Sequence, residues 1–268
     1  MKTSQMTVLR AIAAAMGTLA SHHARAEPLP ADLTGSLVAN PAMVQAGQSP
    51  KLIWSISYPS VVKQYVKITP SVPTDPGGGG DGGQPGTIIP LQNLYADVRI
   101  IGQGVTVTSN NSGYTFVPTQ ATMSINSTTD FREIFYGTNP QINPGAVINI
   151  KNVFGTTYTN NLIQSGKAIR FGGRYKYNNA WGTYYKSNDG TDNVRFLVSG
   201  DRPPSNVPQY NAPSLESFLR PYLDATGKVK IGPMDVIVFM ELTHSSSQKS
   251  DPGYDLQDLV LLVTFRKN

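Results

Sequence analysis

The chain has 268 residues, a formal charge of +5 and no cysteine. Lack of thiols excludes disulfides, cysteine-ligated zinc, iron–sulfur clusters, thiol nucleophiles and a lipid-modified N-terminal cysteine. Nucleic-acid binding draws on clustered Lys and Arg that release counterions, and the basic residues here are scattered, so no nucleic-acid partner is expected.

Residues 1–26 read as a signal peptide. Lys2 and Arg10 supply a basic start, residues 11–20 a small apolar stretch, and Ala24-Arg25-Ala26 the small-residue pattern of a cleavage site. A membrane-crossing helix needs about 20 apolar residues, so no membrane span is expected after cleavage. Removal takes Lys2, Arg10 and Arg25 with it and no acid, which lowers the net charge by three. His22 and His23 also leave, so His244 stays as the single histidine and a multi-histidine zinc site is excluded. The product is expected to be secreted, periplasmic or extracellular.

From Glu27 onward the chain reads as strands and turns. Residues 27–70 hold N-terminal strand candidates at Leu33–Val44, Lys51–Ser57 and Gln64–Thr69. Residues 71–90, with GGGGDGG at 77–83, are too poor in apolar side chains to offset their ordering entropy and are expected to be a flexible loop or linker. Residues 91–268 form the main β-rich domain. Its strand candidates are Tyr95–Ile101, Val105–Ser109, Tyr114–Val117, Ala121–Ile125, Ala146–Asn152, Lys167–Phe171, Tyr175–Tyr177, Thr183–Lys186 and Val194–Ser199. Residues 130–136 allow a helical turn instead. Asn188-Asp189-Gly190 predicts a hairpin between the last two candidates, because Asp-Gly suits positive φ. One short helix is predicted near 214–224, with Leu215, Phe218, Leu219 and Tyr222 on one face and Pro221 limiting its length. The runs 236–242 and 259–265 are almost wholly apolar, the pattern of strands buried on both faces.

The expected fold is mainly β, an antiparallel β-sandwich, either one large or two smaller. The stretch ANPAMVQAGQSPKLIWSISYP at residues 39–59 resembles the opening strands of bacterial immunoglobulin-like domains, where a Gly-centred turn leads into a Trp-bearing strand. That resemblance implies an immunoglobulin-like start to the sandwich and no activity.

Motif by motif, the chain has no P-loop and no G-x-S-x-G nucleophile elbow. His244 is followed by Ser245, Ser246 and Ser247, but a catalytic triad depends on geometry that adjacency does not supply. Two features carry candidate chemistry. Glu241, Asp251, Asp255 and Asp258 offer oxygen ligands for calcium or, if two carboxyls flank a cleft, glycosidase-type acid–base chemistry. The alternative is structural, with Asp255 capping a turn and Asp258 accepting from nearby backbone amides. The second feature is FGGRYKYNNAWGTYYK at 171–186, an aromatic hairpin in which Tyr175, Tyr177, Trp181 and Tyr185 are candidate sugar-stacking rings flanked by Arg174, Asn178 and Asn179. Cross-strand core packing is the competing reading.

The functional expectation is a secreted, non-catalytic β-sandwich with a structural or surface-binding role. The alternatives are a carbohydrate-binding module and a carboxylate-based glycoside hydrolase. Partners expected are a polysaccharide, or another protein chain added by strand pairing at a sheet edge.

Overall fold

Extended, β-branched stretches of this chain find antiparallel partners. The computed structural model describes residues 34–39, 52–57, 59–72, 85–108, 113–203, 217–251 and 253–267, all within the compact unit spanning Asp32–Asn268. β1 (Thr34–Ala39) pairs with β2 (Leu52–Ser57) as a separate two-stranded ladder. β3 (Val66–Thr69) pairs with β4 (Thr87–Pro90), so residues on both sides of the Gly-rich tract join one sheet. The tract itself, residues 73–84, lies outside the described residues. β5 (Leu94–Gly102) leads to a small ladder of β6 (Thr106–Thr108) with β7 (Tyr114–Phe116). β8 (Thr119–Ile125) and β9 (Arg132–Gly137) pair next to each other. Helix α1 (Ile150–Phe154) then precedes β10 (Leu162–Ile163), β11 (Ile169–Tyr177), β12 (Ala180–Trp181), β13 (Tyr185–Lys186) and β14 (Val194–Leu197). β15 (Asp235–Met240) and β16 (Leu259–Arg266) complete the set.

Two sheets dominate. One is five-stranded in the order β10-β5-β16-β15-β14; the other runs β3-β4-β11-β8-β9, with β12 and β13 also paired to β11. Alternate residues of each sheet meet in one core: Ile88, Ala121, Met123, Ile169 and Phe171 from the larger, and Leu94, Val98, Val238, Leu261 and Val263 from the smaller. The opposite face of the five-stranded sheet is covered too. There Ile237, Phe239 and Val260 pack with Leu219, Leu223, Val229, Tyr254 and Leu256 in a second apolar cluster. β15 and β16 are therefore buried on both faces, which explains why their sequences are continuous apolar runs rather than alternating ones.

This is the mainly β, antiparallel architecture that the sequence predicts, with local departures. The stretch expected to be helical near 214–224 is a 3₁₀ segment, Ser217–Tyr222, with Pro221 inside it. Proline lacks the N–H that an α-helix interior needs; Leu219 is fully buried and Phe218 and Tyr222 partly so against the second core, while Leu215 lies outside the described residues. Ala146–Asn152, expected as a strand, is irregular up to Asn149 and then enters α1, whose N-cap Asn149 accepts from the Asn152 N–H. Residues 132–137 form β9 instead of a helical turn. Asn188-Asp189-Gly190 makes a turn with Gly190 at φ 76°, but not a hairpin: β13 pairs with β11 and β14 with β15, so this turn carries the chain from one sheet to the other. Most of the stretch that resembles an immunoglobulin-like opening lies outside the described residues, apart from its β2 segment.

Burial on both faces makes a prediction. Ile237 faces the second cluster and Leu261 the first, both at 0% exposure. Ile237→Ala and Leu261→Ala should each lower the unfolding free energy by about 2–5 kcal/mol in denaturant titrations. A one-sided sheet would leave one of the two nearly neutral.

Candidate functional site

The first candidate sits where β15 ends and β16 begins. Glu241 directly follows β15 and Asp258 directly precedes β16, so the antiparallel pairing of those strands brings the two carboxyls together. Single carboxylate oxygens of Glu241, Asp255 and Asp258 lie within 4.8 Å of one another, and the first and last residues are buried. Asp251 is not in this group. It is half exposed, accepts from the Gly253 N–H at 2.8 Å and lies 3.7 Å from His244 Nε2.

Backbone amides converge on the buried pair. Glu241 Oε1 accepts from the Thr243 N–H (3.1 Å), the Thr243 hydroxyl (2.8 Å) and the His244 N–H (2.9 Å), while Oε2 accepts from the Asp255 and Leu256 N–H groups (3.1 and 3.2 Å). Asp258 Oδ2 accepts from the Leu242 and Thr243 N–H groups at 2.7 and 2.9 Å. Asp255 Oδ1 accepts from the Gln257 N–H, a tight Asx turn. Leu256 holds φ 60°, a strained value for a residue with a side chain, fixed by that N–H bond and by full burial. Burial, followed by the Glu241 charge and a hydrogen bond to Glu241, holds the Asp258 carboxyl well above the usual carboxylate range. Like charges this close do not both ionise readily, so the neutral form of Asp258 is favoured beside Glu241.

Two other chemistries are measured against that geometry. Calcium takes six to eight oxygen ligands, yet both oxygens of Glu241 are already surrounded by hydrogen-bond donors, a poor fit to a hard cation. Glycosidase carboxyls stand about 5–10 Å apart across an open cleft, whereas Glu241 and Asp258 are buried. Next to them, His244 Nδ1 bonds the Thr243 hydroxyl (2.8 Å), and the Ser245 hydroxyl bonds Ser247 and Gln248. Among the described residues, no serine hydroxyl is hydrogen-bonded to that imidazole, so the histidine and the serines that follow it do not assemble a triad.

The second candidate is the outer face of the seven-stranded sheet. β11 turns into β12 through Asn178 and Asn179, both at positive φ (47° and 62°), the two-residue hairpin that matches strand twist. These asparagines, expected to bond sugar hydroxyls, are turn-formers first. The register then splits the aromatic residues: Trp181 is opposite Lys176 and shares its face, while Tyr175 and Tyr177 lie on the other face of β11. Tyr175 packs partly against the core, and Tyr185, at 8% exposure, belongs to it. Tyr177 and Trp181 stay exposed, at 44% and 39%. Two of the four candidate sugar-stacking rings are thus packing residues.

The register adds a second exposed ring to the Trp181 face. Gln120 of β8 is opposite Arg174 of β11 on one side and Tyr136 of β9 on the other. Tyr136, 46% exposed, thereby comes to 5.7 Å from the Trp181 ring, tilted at 59°. The Arg174 guanidinium lies over the indole at 4.0 Å and 5.2 Å from the Tyr184 ring, with its Nε donating to Gln120 Oε1 at 2.7 Å. Lys176 Nζ is 5.4 Å from the indole centroid. Thr122 donates its hydroxyl to the Gly172 carbonyl and accepts from the Tyr184 hydroxyl at 2.7 Å; burial raises that phenol above its ordinary value. Tyr136 is invisible as part of this site in the sequence, because nothing local to residue 136 says that β12 lies three places away across β8 and β11.

Comparison with known proteins found no matching family model, no similar curated protein and no similar solved structure.

The buried carboxyls make a prediction with a definite sign. A carboxyl whose folded pKa is raised adds stability below its unfolded value and loses it as pH rises through the folded value. Asp258→Asn keeps an oxygen acceptor for the Leu242 and Thr243 amides and removes the charge. It should melt above the parent at pH 8, with the difference shrinking toward pH 4. Differential scanning fluorimetry across that range checks it. A bound calcium ion would reverse the pattern: added calcium would raise the parent melting temperature, and the variant would lose that rise.

Proposed function

We propose that the chain is an exported, non-catalytic binding protein whose outer sheet face around Trp181 takes a carbohydrate. The observation that carries this reading is the exposure of Trp181 and Tyr136 side by side on that face, their rings 5.7 Å apart. Large aromatic rings left in water on a sheet whose other face is a packed core mark an interaction surface. A ring face stacks on the C–H face of a sugar, and the neighbouring Gln120, Asn178 and Asn179 bear amides, which pair with hydroxyls.

Export rests on the N-terminal pattern of Lys2, Arg10 and Ala24-Arg25-Ala26; N-terminal sequencing of the protein recovered from periplasm or medium would start at Glu27. No helix among the described residues is long and apolar enough to cross a membrane.

Binding is tested by pull-down on a panel of insoluble polysaccharides with the parent and Trp181→Ala. Saturable binding that weakens about tenfold or more in the variant is expected, the loss typical of a buried aromatic anchor at an interface. An unchanged melting temperature would separate lost contact from lost fold. Absence of binding to every member would return Trp181 to a packing role.

A further inference from the structure

The cations beside the exposed rings define the chemistry of the sugar. Arg174, Lys176 and Lys186 all project among aromatic rings on this face: Arg174 over Trp181, Lys176 5.4 Å from the same ring, and Lys186 Nζ 5.5 Å from Tyr184 and 5.8 Å from Phe131. Other basic residues of the protein have acids at hand. Arg132 pairs with Asp130, Arg195 and Lys249 with Asp192, and Arg266 with Asp97. Among the described residues, no carboxylate lies within ion-pair distance of Arg174, Lys176 or Lys186. The acid on the same part of the sheet, Glu133, is occupied by the Gln120 side-chain amide at 2.6 Å.

Three like charges gathered on one sheet face repel one another, and a neutral sugar offers nothing to offset that repulsion. The bond from Arg174 to Gln120 uses Nε alone. The two terminal nitrogens, which form the fork that recognises carboxylate in a bidentate way, remain for a ligand. Arg174 and Lys176 are two residues apart on one strand face, so their stems are spaced about 7 Å along the strand, a row suited to a chain bearing repeated negative charge. Trp181 lies beside this row as its stacking platform.

We infer that the ligand of this face is an acidic polysaccharide, a chain of uronic acid residues, with Trp181 stacking on a sugar ring and Arg174 and Lys176 pairing with its carboxylates. This inference rests on the carbohydrate-binding reading above.

Polygalacturonate and the same polymer fully methyl-esterified separate charge from sugar shape. Isothermal calorimetry with the parent should give at least tenfold tighter binding to the free acid at low salt. That preference should decline as ionic strength rises toward about 0.2 M, where the screening length falls below about 8 Å. Arg174→Gln with Lys176→Gln should lose the preference while keeping the weaker binding to the ester, and Trp181→Ala should lose both. Equal affinity for acid and ester with no salt dependence would overturn the acidic-ligand inference and leave carbohydrate binding standing. Binding to the ester or to neutral polysaccharides alone would do the same. Failure to bind any polysaccharide would overturn both readings. Tight binding of the free acid that survives Trp181→Ala and is matched by duplex DNA would reduce the face to a general polyanion surface and overturn the inference as well.

Discussion

Everything described here hangs on the placement of β16 between β5 and β15. The final strand of the chain pairs with β15, close before it in sequence, and with β5, more than 150 residues earlier. The register with β5 shifts between Val260 and Leu261, the irregularity of a bulge. Being central, β16 is paired along both edges, and its side chains fill both apolar clusters. Each face then needs its own cover, and the two covers differ. On one side lies the seven-stranded sheet; on the other lie the 3₁₀ segment Ser217–Tyr222, Val229 and the 254–256 loop.

That loop explains the buried carboxyls. Between β15 and β16 the chain must leave the sheet, turn and return, so a set of backbone N–H groups faces inward without strand partners. Burying such donors unpaired costs about 1–3 kcal/mol each. Glu241 and Asp258 accept from them, at the cost of placing two acids side by side where water is excluded. The cluster thus answers a loop problem, because its carboxylates take up backbone donors that the sheet leaves without partners.

The opposite surface follows from how β11 is shared. β11 pairs with β8 along its length and with β4, β13 and β12 on its other edge. Gly172 and Gly173 make room for that crowding, since a Cβ on the first would lie 2.9 Å from the Tyr185 carbonyl oxygen and one on the second 3.1 Å from Leu242 and Met240 side-chain atoms. With the inner face committed to Phe171 and Ile169, the outer face is free to carry Arg174, Lys176 and their ring partners.

Local pattern alone determined much of this. Apolar content and β-branching marked β15 and β16 as doubly buried strands, and residues 171–186 were legible as an aromatic hairpin, because backbone preference and side-chain alternation act over a few residues. The candidate carboxyls and rings were nameable for the same reason. Which of them face one another was not. Asp251 and Asp255 are equivalent by composition, yet the loop turns one toward Glu241 and the other toward His244. Tyr185 and Trp181 are equally aromatic, yet one is core and the other is open to solvent. Pro221 and Asn149 show short-range chemistry deciding element type, whereas Tyr136 beside Trp181 depends on strand order across β8 and β11. Strand order is set by the burial of whole sheets, a long-range energy with no local signature, and only the tertiary structure decides it.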